Sequence, residues 1–233
     1  MESAIAIVPA AGTGSRLGLA VKKPFVMLGD DGPIVAYCLR ALAASAMIEG
    51  IIVAVEGTCV GRFKRVISRY RLKKIKGVVR GGASRFESVR NCLERLDPSS
   101  GMVLIHDAAR PFLDEKLIRR TISAARRFGA AIAAVPEKDT IKSVDKGGHV
   151  TGTPDRSVIW KAQTPQVFRR SLIVEAYAKA PADQSKITDD SLLVERLGKK
   201  VKVVFGSYSN IKITTRDDLE FAKFLIRQPD YST

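Results

Sequence analysis

Ala4-Ile5-Ala6-Ile7-Val8-Pro9-Ala10-Ala11-Gly12-Thr13-Gly14-Ser15-Arg16-Leu17-Gly18, running on to Lys22-Lys23-Pro24, is the stretch on which the reading of this chain turns. Ala4 to Val8 is an unbroken apolar run, the pattern of a strand buried on both faces of a parallel sheet. It ends at Pro9, which has no amide proton to give to a ladder. The loop that follows is nearly free of side chains. Gly12 and Gly14 permit positive φ and let a ligand lie against backbone N–H groups, so the loop suits phosphates or the edge of a base, and Arg16 and Lys23 add positive charge. Two familiar phosphate loops are excluded. The spacing Gly12-x-Gly14-x-x-x-Gly18 is too long for the dinucleotide fingerprint, and Lys23 precedes Pro24 rather than the Ser or Thr that a Walker A loop needs for magnesium.

Outward from this loop the chain alternates. Ile34 to Ser45 has helical periodicity, Gly50 to Val55 reads as a second buried strand, and Thr58 is placed to cap a helix running to about Tyr70. Val78-Val79 suggests a third strand, after which Ser84 and Glu87 form the pattern of a capping box for a helix through Leu96. Met102 to His106 is a fourth strand, Asp114 caps a helix ending near Phe128 at Gly129, and Ala130 to Val135 is a fifth strand. This alternation predicts an α/β fold with a doubly wound, mostly parallel sheet, in which ligands sit at the carboxyl ends of the strands. The segments Gly12 to Lys23, Gly81 to Ser88 and Asp107 to Arg110 should therefore face one another. Asp107 is the first acid of that crevice: it suits a magnesium ion on a triphosphate, a substrate hydroxyl, or simply a turn. Arg110 is placed to pair with Asp107 or to meet a phosphate.

At 233 residues the chain has room for one large α/β domain and an excursion from it. Glu2 and the break at Pro9 read against a secretory signal, and no apolar run approaches a membrane span, so a cytoplasmic location with no membrane partner is expected. Cys38, Cys59 and Cys92 are far apart and read as buried free thiols; with only His106 and His149 to help them, no zinc site is expected. The net charge of +15 suits a nucleic-acid binder, and Arg62 to Lys76 is crowded with cations. That segment lacks interleaved aromatics, however, and a positive field also gathers a triphosphate and a sugar phosphate, so small phosphorylated substrates rank above nucleic acid.

From Lys138 the rhythm changes. Thr140 to Asp145, Lys146-Gly147-Gly148 and His149 to Thr153 read as a hairpin with little apolar surface to bury on its own domain, which suits an arm paired with its twin in a dimer. Thr188 looks like the cap of a helix through Leu197; a last strand, Val201 to Phe205, precedes Asn210-Ile211-Lys212 and a closing helix from Asp217.

Pro9-Ala10-Ala11-Gly12-x-Gly14-x-Arg16, Lys23, Gly81-Gly82-x-x-Arg85-x-x-Ser88-Val89, His106-Asp107-Ala108-Ala109-Arg110-Pro111, Thr164-Pro165-Gln166, Thr188-Asp189 and Asn210-Ile211-Lys212 together resemble the 2-C-methyl-D-erythritol 4-phosphate cytidylyltransferase family over nearly the whole chain. The resemblance implies one Rossmann-like nucleotidyltransferase domain over residues 1–233, with a dimerisation arm at about 139–153 that makes a homodimer. It implies transfer of CMP from CTP to methylerythritol phosphate, with Mg2+, in the non-mevalonate route to isoprenoids. By the same resemblance Arg16 and Lys23 meet the α-phosphate, while Arg156 and Lys212 hold the acceptor phosphate. Thr140, Thr164, Thr188, Asp107 and Arg110 contact the acceptor, with Arg156 and Thr140 reaching the other subunit's site. CTP is held at Pro9, Ala10, Ala11, Gly12, Gly14, Gly82, Ser88, Asp107 and Ala108, and Asp107 is the candidate metal ligand. One departure is Ala83, where family members often carry an acid. Two alternatives stand beside this reading: a ribitol 5-phosphate cytidylyltransferase, which shares these loops, and a basic nucleic-acid binding module on the same scaffold.

Overall fold

The computed structural model describes residues 3–12, 14, 18 and 21–228. In chain order the elements are β1 (Ala4–Pro9), α1 (Ile34–Ala44), β2 (Ile48–Val55), α2 (Val60–Arg69), β3 (Ile75–Arg80), α3 (Arg85–Leu93), β4 (Met102–Ile105), α4 (Glu115–Phe128) and β5 (Ala130–Pro136). They continue with β6 (Ser143–Val144), β7 (Val150–Gly152), β8 (Trp160–Arg169), α5 (Arg170–Ala178), α6 (Ser191–Arg196), β9 (Lys202–Phe205) and α7 (Arg216–Ile226). Among the described residues a seven-stranded sheet runs β3-β2-β1-β4-β8-β5-β9, and β8 alone is antiparallel to its neighbours.

The chain leaves β1 toward β2 and β3, then crosses back to lay β4 on the other side of β1. The strand order therefore reverses between β1 and β4, and a crevice opens at their carboxyl ends. The apolar runs explain why these strands lie in the middle: β1, β2 and β4 are buried nearly throughout. One face of the sheet packs on α1, α2 and α4 through Leu39, Phe63 and Ile122; the other packs on α3, α5 and α6 through Val89, Ile173 and Val194. A third cluster seats α7 against Leu28 and Ile34, with the Tyr37 hydroxyl donating to the Leu28 carbonyl.

Several local expectations hold and others are corrected. Ser84 and Asp114 cap α3 and α4 through their side chains, and Gly129 ends α4 at φ +88. Thr58 does not cap α2: a 3-10 turn at Gly57–Cys59 precedes that helix, and the Thr58 hydroxyl donates to Glu56 Oε1 at 3.0 Å. Glu87 does not close the box on Ser84; its carboxylate accepts from the Ala83 amide at 2.6 Å, and α3 ends at Leu93. Nor does Thr188 cap α6. Asp189 Oδ1 takes the Leu192 amide at 3.1 Å, because that carboxylate lies one residue nearer the helix. Cys59 is only half-buried, while Cys38 and Cys92 are in the core, where burial pushes both thiols up to about 12.

The largest departure from the sequence reading is β8, a ten-residue strand inserted between β4 and β5. Its register on β5 jumps from Gln166 opposite Ile132 to Ala162 opposite Ala134, so Gln163-Thr164-Pro165 forms a bulge. The hairpin forms as expected: β6 and β7 pair antiparallel, and Asp145 Oδ1 accepts from the Gly147 and His149 amides across the turn. Among the described residues no helix is long and apolar enough to cross a membrane.

Candidate active site

Three loops from the carboxyl ends of β1, β3 and β4 enclose a cleft of about 550 Å³. One wall is backbone and small side chains: Pro9, Ala10, Ala11, Gly12 and Gly14 from the first loop, and Gly82 with Ser88 from the third strand's exit and α3. The two loops of this wall approach so closely that a Cβ on Gly81 would stand 2.2 Å from the Cβ of Ala11. Gly14, at φ +71, lets the chain fold onto Lys23, since a Cβ there would lie 2.7 Å from the Lys23 Cβ. Ser88 Oγ accepts from the Gly82 amide at 3.2 Å and donates to the Ser84 carbonyl at 2.9 Å, which fixes the rim. Lys23 lines the same space, and Glu56 at its edge pairs with Lys22 at 2.9 Å.

The opposite wall is charged. Asp107, nearly buried, accepts from Arg85 Nε at Oδ1 (2.9 Å) and pairs through Oδ2 with Lys212 Nζ (2.9 Å) and more distantly with Arg110 Nε (3.8 Å). Burial raises the Asp107 pKa, but the charges of Arg85, Lys212 and Arg110 outweigh it and hold the carboxyl well below its usual range. It is a fixed anion. Arg85 in turn grips Asp190 with both terminal nitrogens, at 3.0 and 2.7 Å, and the Tyr177 hydroxyl donates to Asp190 Oδ1 at 2.6 Å. Two carboxylates and three cations leave this wall one positive charge in excess, which suits an anion.

Beneath Asp107 lies a second layer. The Asp107 amide donates to Thr164 Oγ1 at 3.0 Å, and Thr164 Oγ1 lies 3.1 Å from His106 Nδ1, while His106 Nε2 stands 3.0 Å from the Arg110 carbonyl. A carbonyl only accepts, so Nε2 carries the proton, and Nδ1 accepts from the Thr164 hydroxyl. Burial pushes the His106 pKa down to about 4, so the ring is neutral and structural at neutral pH. Arg110 Nη1 donates to the Asn210 carbonyl at 2.7 Å, and the Asn210 amide donates to the Thr164 carbonyl at 2.8 Å. These bonds anchor the Asn210-Ile211-Lys212 loop and deliver Lys212 to the cleft.

The structure therefore brings together Pro9, Ala10, Ala11, Gly12, Gly14, Lys23, Gly82, Ser88, Asp107, Ala108 and Lys212. Arg110 and Thr164 are buried behind and below that lining. Thr188 is exposed in the segment before α6, and Thr140 and Arg156 are exposed at the hairpin's base, where Arg156 Nη1 donates to the Lys138 carbonyl at 2.6 Å; none of the three lines the cleft of its own chain. Arg16 lies outside the described residues. Sequence reading assigned no role to Arg85 or Asp190. Arg85 opens α3 directly after the Gly-Gly turn, which was its signal, but its partner is 105 positions away and nothing local announces the pair.

A sequence profile described as 2-C-methyl-D-erythritol 4-phosphate cytidylyltransferase matches residues 4–228. The chain is 44% identical over 227 residues to a protein of that name from Syntrophus aciditrophicus, covering 97% of each. It is 44% identical over 221 residues to one from Geobacillus thermodenitrificans, covering 95% of this chain and 96% of that one. Among solved structures, a 4-diphosphocytidyl-2C-methyl-D-erythritol synthase from Anaerococcus prevotii superposes with a TM-score of 0.84 at 36% identity, over 97% of this chain and 99% of that chain. A 2-C-methyl-D-erythritol 4-phosphate cytidylyltransferase from Thermus thermophilus superposes with a TM-score of 0.79 at 31% identity, over 98% and 100%.

Proposed function

The chain belongs to the 2-C-methyl-D-erythritol 4-phosphate cytidylyltransferase family, and from that premise we propose that it moves CMP from CTP onto the phosphate of 2-C-methyl-D-erythritol 4-phosphate. The products are 4-diphosphocytidyl-2-C-methyl-D-erythritol and pyrophosphate, and the reaction serves the non-mevalonate isoprenoid route. The observation that carries this reading is the two-walled cleft: amides and small residues on one side, and on the other a carboxylate-anchored cationic wall with one charge to spare.

In this reading an oxygen of the acceptor phosphate attacks the α-phosphorus of CTP, a new P–O bond forms there, and the bond to the bridging oxygen breaks to release pyrophosphate. The acceptor carries roughly −1.5 to −2 charges at neutral pH, so it needs no general base, and repulsion between the two anions is the obstacle. Lys23, with Arg16, neutralises the α-phosphate as charge gathers on it; Lys212 holds the acceptor phosphate in line. In this reading the Gly12, Gly14 and Gly82 backbone with Ser88 meets the cytosine. Asp107 anchors Lys212 and lies within reach of substrate hydroxyls.

Magnesium enters with the triphosphate. Asp107 is the carboxylate of the charged wall that lines the cleft, and one carboxylate with phosphate oxygens is an ordinary magnesium donor set, so Asp107 is the residue that would hold the ion. When bound, the ion supplies charge neutralisation at the phosphates. The hairpin is the proposed dimer arm: Val144 and Val150 are 59% and 60% exposed, and Val158 and Trp160 near its base are also uncovered. Paired with a second copy, it would carry Thr140 and Arg156 toward the partner's acceptor site. The names of the relatives favour methylerythritol phosphate over ribitol 5-phosphate and over nucleic acid, and a cytoplasmic location accompanies this reading. Pyrophosphate release from CTP and magnesium tests it: release with methylerythritol 4-phosphate and not with ribitol 5-phosphate is expected, and the reverse would overturn the choice of acceptor.

A further inference from the structure

Five side chains form a line through the charged wall: Tyr177, Asp190, Arg85, Asp107 and Lys212. Its inner end is rigid. Asp190 has no exposed surface, and its Oδ1 accepts from both Tyr177 and Arg85. Its outer end is exposed: the Lys212 side chain is 41% exposed and reaches the wall through Asp107 Oδ2. Arg85 occupies the middle with all three nitrogens donating to carboxylates: Nε to Asp107, Nη1 and Nη2 to Asp190. A guanidinium so committed has its plane set by the bidentate pair and transmits that plane to Asp107. Asp107 Oδ1 is thereby pinned, and Oδ2 is turned toward Lys212.

We infer that Arg85, held by Asp190, is a positioning residue that sets where the Lys212 ammonium stands and so how tightly the acceptor phosphate is held. The inference rests on the reading of Lys212 given above. Arg85 lines the cleft on its charged side beside Asp107 and Lys212, and the exposed end of the line is the Lys212 ammonium, so disturbing the line should weigh on acceptor use more than on CTP. The alternative, that the pair merely holds α3 to α6, predicts a loss of stability with no preference between substrates.

Asp190→Asn separates the two. The amide keeps the carboxylate's shape and one oxygen for Tyr177 or Arg85, but the charged fork is lost and Arg85 is free to lean on Asp107. In the full-length wild type and variant, initial rates of pyrophosphate release are measured with each substrate varied in turn. Asp190→Asn should raise the KM for methylerythritol 4-phosphate about tenfold, as expected for members of one charge network, with the KM for CTP within about twofold. Arg85→Lys, which keeps the charge and loses the fork, should show the same split. Ile173→Val, a truncation in the core under α5 that removes no hydrogen bond or ion pair of the line, is the control for stability alone: it should lower Tm and leave both KM values unchanged. An unchanged acceptor KM in Asp190→Asn and Arg85→Lys, equal shifts for both substrates, or losses in all three variants that follow Tm would overturn the inference. A wild type that releases no pyrophosphate with this acceptor would instead overturn the reading of Lys212 and take the inference with it.

Discussion

Asp107→Asn removes one negative charge from among three cations and leaves the side chain's shape. In the wild type, Asp107 makes one charge-assisted bond to Arg85 and one to Lys212, both 2.9 Å, with Arg110 at 3.8 Å. The Lys212 contact is open to solvent, so it adds little to stability. The Arg85 contact is the stronger one, because both partners are largely shielded; the variant keeps a neutral acceptor for it but loses the charge. Arg110, buried and without a hydrogen bond at Nε, then faces no anion. The loss is about 2–3 kcal/mol at pH 7, within the usual range for bonds to buried charged groups. For a chain of this size it lowers Tm by about 4–12 °C. The pH dependence gives the reasoning its sharper test. The folded pKa of Asp107 lies below its unfolded value, so its contribution is present above about pH 4 and fades as pH falls through the folded value. Urea unfolding of wild type and variant at pH 7, 5 and 3.5 should show a gap that is equal at the first two and narrower at the third. A gap under about 0.5 kcal/mol at pH 7, or one that widens in acid, would refute the account of the charged wall.

Three further outcomes follow from the same geometry. His106 is buried neutral with its pKa at about 4, so protonation of the unfolded chain lowers stability as pH falls from 6.5 to 4, by about 3 kcal/mol; His106→Gln should flatten that window in urea titrations, and an unflattened slope would reject the assignment. Gly81→Ala places a Cβ 2.2 Å from that of Ala11 and should cost about 1–3 kcal/mol, with weaker CTP binding by calorimetry; a variant that binds CTP as the wild type does would show the two loops can part. Lys23→Ala should lower kcat with CTP still bound, whereas Arg156→Ala should mainly raise the acceptor KM, and equal effects of both on CTP affinity would contradict that division.

The parts of the fold legible in the sequence are those whose burial is continuous. β1, β4, β5 and β2 from Gly50 onward are unbroken apolar runs because both faces of each are covered, and the Pro-Ala-Ala-Gly turn marks the end of β1. β8 was hidden for the opposite reason. Its residues Gln163, Thr164, Pro165 and Gln166 are polar or lack an amide proton, yet they are buried, since their side chains bond to Asn210, His106 and Asp189 instead of facing solvent. Asp107 and Lys212 were found by motif, but their mutual contact was not, because the bulge in β8 and the anchoring of Asn210 by Thr164 create it in three dimensions. Thr188 and Thr58 show the limit of cap rules: at α6 the Asp189 carboxylate takes the helix amide in place of Thr188, and at α2 the Thr58 hydroxyl donates to Glu56 instead of accepting from the helix.

The central claim is that this cleft joins CMP to the phosphate of methylerythritol phosphate. Phosphorus NMR of one sample holding the protein, CTP, magnesium and equal amounts of methylerythritol 4-phosphate and ribitol 5-phosphate tests it most directly. The account predicts growth of one pair of coupled diphosphate signals, matched by pyrophosphate, with consumption of methylerythritol phosphate and none of the ribitol compound. Consumption of ribitol phosphate, or of CTP with neither acceptor, would contradict it.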